Sequence, residues 1–168
     1  MIADPARRGH ALAAFYREVV PRLFHDLEES GALHAHAEAA RRHAWHEWEC
    51  FALYACVRAL VAAGGFNRET GHAIEALHEH VLGEPAPGAS RSDAADRRAL
   101  VAERYAEYGA IGQAGGAAGA STVTQRLGEA AARHMASPAL PGAALAEIAG
   151  SLHEQLVEGA SEAVRAAG

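Results

Sequence analysis

Lysine is absent from this 168-residue chain, so every basic residue among its 15 is arginine. Schiff-base chemistry on lysine and a lysine-bearing phosphate loop are therefore excluded. Cysteine occurs twice, at Cys50 and Cys56. On one helix, positions six apart point roughly 240° apart around the axis, which forbids a bridge between them and predicts two reduced thiols. Long apolar runs are missing as well, and none approaches the ~18 residues of a membrane span. The formal charge of -6, with arginines scattered along the chain, provides no basic stripe for nucleic acid. Neither a membrane nor a nucleic acid is an expected partner. The opening "MIADPARRGHALAAFY" carries charges without a continuous apolar segment behind them, unlike a secretory signal, so the expected location is the cytoplasm.

Large aliphatic side chains are scarce: Leu, Ile, Val and Phe together number 31 of 168 residues, below the ~20% that accompanies disorder when net charge is high. Here the charge is low and 43 residues are alanine, the best intrinsic helix former. The composition therefore predicts one tightly packed helical domain spanning 1–168, with small side chains at its contacts. A chain so poor in large aliphatics gains burial by pairing, so a homo-oligomer is expected.

The apolar spacing predicts an all-α bundle of five or six helices, since no stretch alternates like a strand. Leu12, Phe15, Tyr16, Val19, Leu23 and Leu27 mark a helix over 8–30, bent or divided by Pro21 and ended by Gly31. A long second helix over 34–63 is closed by Gly64 and Gly65. Its half "CFALYACVRALVAA" is apolar almost all round, as a central helix would be. Asn67 caps a third helix carrying Ile74, Leu77, Val81 and Leu82, and "GEPAPGAS" reads as a mobile loop. A fourth helix over 92–112 places Arg104 in the stripe of Val101, Tyr105 and Tyr108, where an inward guanidinium needs an acidic partner. Val123, Leu127 and Ala131 mark a fifth from Ser121 to Met135, and Leu145, Ile148, Leu152 and Leu156 a sixth over 142–166.

Motifs of the common hydrolases and zinc proteins are missing: there is no G-x-S-x-G, no H-E-x-x-H and no C-x-x-C. The glycine-rich "GAIGQAGGAAGAST" follows a helical pattern rather than a strand, lacks the dinucleotide spacing and has Ala120 where a phosphate loop has lysine. It reads as a flexible connection, or as a close helix crossing at Gly112 and Gly116 or at Gly115 and Gly119. Tyr105, Tyr108 and Arg104 within "ERYAEY" offer proton donors and an anion clamp, but their stripe spacing reads first as packing. The echo between "LHEHVL" at 77–82 and "LHEQLV" at 152–157 sets His78 and His153 beside the buried stripe, where a half-buried imidazole bonded to a carbonyl or carboxylate is expected.

The densest chemistry is "HAWHEWEC" at 43–50. His43, His46, Glu47 and Cys50 stand at i, i+3, i+4 and i+7 and so line one helical face, which His36 extends one heptad earlier. Two imidazoles, a carboxylate and a thiol suit a divalent transition metal, and Glu75 with His78 on the third helix forms an E-x-x-H pair that would complete the set. Two-metal carboxylate bundles, however, use one such pair from each of two helices together with further Glu residues, and that arrangement is not found. The alternative is that Trp45 and Trp48 anchor the helix on other faces while Glu47 and Glu49 are solvated. Taken together, the sequence predicts a non-catalytic binding or assembly module with no cofactor. Its rival is a metal-binding bundle doing redox or hydrolytic chemistry on these His and Glu ligands.

Overall fold

Asp4 opens the first helix: its carboxylate accepts a hydrogen bond from Ala6 N at 3.1 Å, and Pro5 occupies the first turn, where a missing N–H costs nothing. The computed structural model describes residues 4–83, 90–114 and 119–168. Among the described residues it contains six helices and no strand: α1 Pro5–Glu29, α2 Glu38–Gly64, α3 Arg68–Leu82, α4 Arg91–Ala114, α5 Ala120–Ala136 and α6 Ala143–Ala167. The chain is all-α.

Local signals explain most boundaries. Gly31 and Gly65, with φ of 74° and 73°, take the left-handed conformation that ends α1 and α2. Asn67 accepts from Thr70 N at 2.9 Å through its side chain and starts α3. Two expectations need correction. Pro21 does not divide α1, which runs through it; Pro21 is exposed, and at the solvent face one lost backbone bond is tolerated. The second helix begins at Glu38 rather than at 34, so His36 lies outside it and does not extend the face of His43. Leu33 is buried in the core, and bringing it there carries the preceding segment off the helix axis. Most of "GEPAPGAS", residues 84–89, and residues 115–118 of the glycine-rich run, with the proposed crossings at Gly115 and Gly116, lie outside the described residues.

At 27 residues α2 is the longest helix, and it packs against each of the other five. Residues 47 to 56 are buried without a break, so the polar groups in that run must find partners inside the protein. The buried apolar side chains form one cluster drawn from all six helices. Small residues let the helices close on one another. A Cβ on Gly9 would stand 2.6 Å from Ala76 Cβ on α3, and one on Gly128 would stand 2.9 Å from Gly150 N on α6. Among the described residues the large apolar side chains left exposed are Phe66 and Leu140, in two separate connections.

Candidate functional site

Because α2 is enclosed over 47–56, its two carboxylates cannot be solvated, and the expectation that they are is overturned. Glu47 is 3% exposed and Glu49 7%. A buried carboxylate left alone would cost several kcal/mol, and each has a cation. Arg104 on α4 donates to Glu47 at two points, Nε to Oε2 at 2.7 Å and Nη2 to Oε1 at 2.9 Å, while its Nη1 reaches Glu103 at 2.6 Å. This is the acidic partner that an inward arginine required. Glu49 accepts from Tyr16 Oη at 3.0 Å and from Arg97 Nη2 at 2.6 Å, and Arg97 Nη1 also donates to Val81 O at 3.1 Å. Burial first, and then the Glu49 charge, hold the Tyr16 phenol well above its ordinary pKa.

The six candidate metal ligands do not come together. His43 is exposed and its Nε2 lies 2.8 Å from His134 O. The exposed His46 places Nδ1 3.4 Å from Glu49 Oε2. Glu47 is held by Arg104. Cys50 is buried, and desolvation followed by the charges of Glu47 and Glu49 pushes its thiol up to about 12. On α3, Glu75 is exposed, while His78 Nε2 is hydrogen-bonded to Tyr105 Oη at 2.8 Å. Among the described residues no group of three or more His, Cys, Asp or Glu side chains is placed to hold a metal ion. Helical spacing keeps the four α2 residues on one face, and His43, His46 and Cys50 line one groove, but Glu47 is taken by Arg104 and neither Glu75 nor His78 lines that groove.

The aromatic and histidine expectations fare unevenly. Trp48 is fully buried and donates Nε1–H to Val20 O at 3.1 Å, and Trp45 meets Phe24 edge-on at 5.1 Å, so both anchor α2 against α1. Tyr108 is buried in the core, and Tyr54 Oη donates to its carbonyl at 3.1 Å. The two echo histidines differ from what was expected and from each other. His78 is half-buried against a phenol rather than a carbonyl or carboxylate. His153 is completely buried, stacked on Phe51 at 4.5 Å, with neither ring nitrogen hydrogen-bonded to the protein. Desolvation, then the nearby Arg58 charge, lowers its pKa to about 3. Cys56 is likewise buried, its thiol pushed up to about 12 by desolvation.

What lies beside the Glu49–Arg97 pair is a groove of about 740 Å3 between α2 and α4. Its α2 wall carries Arg42, His43, Trp45 and His46, and its α4 wall Asp93, Asp96 and Arg97. Between the walls lie the apolar side chains of Leu82, Leu100 and Val101 with Cys50, and beside them the Glu49 carboxylate paired to Arg97. Ser90 donates its N–H at 2.8 Å and its hydroxyl at 2.9 Å to Asp93, and these bonds lower the Asp93 pKa. A second cleft of about 770 Å3 lies between α5 and α6. There Thr124 is bonded to Glu154, Gln125 to Glu129 and Arg133 to Glu107, so several of its polar side chains are already matched.

Among the described residues, then, six helices enclose a buried carboxylate–arginine layer, and the groove beside it combines apolar side chains with charged ones. No protein-family model matches the chain, and no curated protein and no solved structure is significantly similar to it.

Proposed function

We propose that this protein is a non-catalytic binding module, organised around α2 as its central helix, that takes a small amphipathic ligand in the groove between α2 and α4. The observation that carries this reading is the groove itself: its volume lies within the ~300–1,000 Å3 of small-molecule sites, and apolar side chains beside a few charged ones are the usual composition of such sites. The state of the neighbouring reactive groups supports binding over catalysis. Glu47 and Glu49 are held in ion pairs, and the Cys50 thiol and Tyr16 phenol have raised pKa values, so neither is activated as a nucleophile or base. The groove is built within one chain, so binding as proposed does not depend on the self-association expected from composition.

N-Phenyl-1-naphthylamine, an uncharged probe whose emission rises in apolar surroundings, tests this directly. Emission should rise with the protein and be lost in Leu100→Glu, which sets a charge among the apolar side chains. No rise, or a rise that survives the substitution, contradicts the reading.

A further inference from the structure

The two rims of the groove carry opposite charge. The guanidinium of Arg42 stands on the α2 rim beside the imidazoles of His43 and His46, and the carboxylates of Asp93 and Asp96 stand on the α4 rim. Among the described residues none of these five side chains pairs across the groove: Arg42 reaches Glu38 on its own helix at 3.6 Å, His46 reaches Glu49, and Asp93 holds Ser90. Among the lining residues Arg97 bridges to Glu49 with the polarity reversed, the acid on α2 and the base on α4. That pair neutralises itself, which leaves the outer rims as the charges a ligand meets.

We propose that the ligand of this groove is a zwitterion with an apolar body, of the chemical class of a short free-ended peptide with apolar side chains. Its carboxylate lies toward Arg42 and His46, its ammonium toward Asp93 and Asp96, and its side chains rest on Trp45, Leu100 and Val101. A ligand of a single charge meets one attractive and one repulsive rim, whereas a zwitterion in this orientation meets two attractive ones. The exposed rim charges act mainly through selectivity, and the apolar side chains supply the burial. This inference rests on the groove being a binding site, as proposed above.

The dipeptide Leu-Leu, its N-acetyl form and its C-terminal amide, titrated by calorimetry, separate the two ideas. Leu-Leu should bind, and blocking either terminus should weaken binding about two- to fivefold. Asp96→Asn should weaken Leu-Leu but not N-acetyl-Leu-Leu, an anion that has no ammonium to lose and meets one repulsive carboxylate fewer. Asp96 is exposed, so the variant should keep the wild-type melting temperature. Blocked and free peptides binding alike, or Leu-Leu failing to bind while the uncharged naphthylamine probe still does, overturns the zwitterion and leaves the groove standing. Failure of both the dipeptides and the naphthylamine probe overturns the groove reading and this inference with it.

Discussion

Glu47 on α2 and Arg104 on α4 face each other in a two-point ion pair, 2.7 and 2.9 Å long, with the carboxylate 3% exposed. Only Val101, Arg104 and Tyr108 of the 24 residues of α4 are buried, so the ion pair supplements a thin apolar contact. The pair ties α4, which carries one wall of the groove, to α2. Removing one partner leaves an uncompensated buried charge. Arg104→Met should destabilise the protein by about 3–5 kcal/mol in urea unfolding, whereas the double variant Glu47→Leu with Arg104→Met should recover most of that loss. Equal losses in the single and double variants would show that the pair is not desolvated.

His153 makes stability depend on pH. Its folded pKa is lowered to about 3 from the ordinary ~6.5, so the unfolded chain takes up the proton first. The stability that the neutral ring contributes is complete above about pH 6.5 and is lost as pH falls from there toward 3. Between pH 8 and 5 the loss amounts to about 2 kcal/mol from this residue. His153→Phe keeps the stack on Phe51 and removes two unbonded nitrogens, so it should be at least as stable as wild type at pH 7 and should flatten the fall by that amount. A variant with the wild-type slope would place the proton uptake elsewhere.

Gly128 and Gly71 should respond to alanine in opposite directions. A Cβ on Gly128 meets Gly150 backbone atoms at 2.9 and 3.0 Å, while one on Gly71 meets nothing within 4 Å. Gly128→Ala should lower stability by about 1–3 kcal/mol as α5 and α6 are forced apart. Gly71→Ala in α3 should raise it by about 0.4–1 kcal/mol. Thermal melts that move in the same direction would contradict the close crossing.

Both thiols should be inert in the folded protein. Cys50 and Cys56 are buried, with pKa values pushed up to about 12, so iodoacetamide at pH 8 should modify neither until denaturant is added. Rapid labelling of Cys50 under native conditions would mean that α4 opens far more often than its ion pairs imply.

The helices were legible in the sequence because their signals are local. Leu12 to Leu27 carry the period of α1, Gly31 and Gly65 stop two helices, and Asn67 starts one. The need of Arg104 for an acid was also legible, from its place in a stripe. Its partner was not, since Glu47 lies 57 positions away and the face it occupies says nothing about which helix comes to meet it. The same applies to Glu49, whose partners Tyr16 and Arg97 lie on α1 and α4. The face of His43, His46, Glu47 and Cys50 follows from helical geometry, yet burial of that face was decided by packing on every side of α2. Gly9 and Gly128 gave no signal that distinguished them from glycines in open positions. Arg97, Asp93 and Asp96, which with α2 form the groove, carry no sequence signal of it, because an exposed helical start rich in charge looks like any solvated helix.

Amide chemical-shift mapping with the naphthylamine probe tests the central claim most directly. The account predicts shifts confined to residues 42–50 and 93–101 and to Leu82, with the cleft of Thr124, Glu147 and Ser151 unmoved. Shifts concentrated in the α5–α6 cleft, or none at saturating probe, would contradict it.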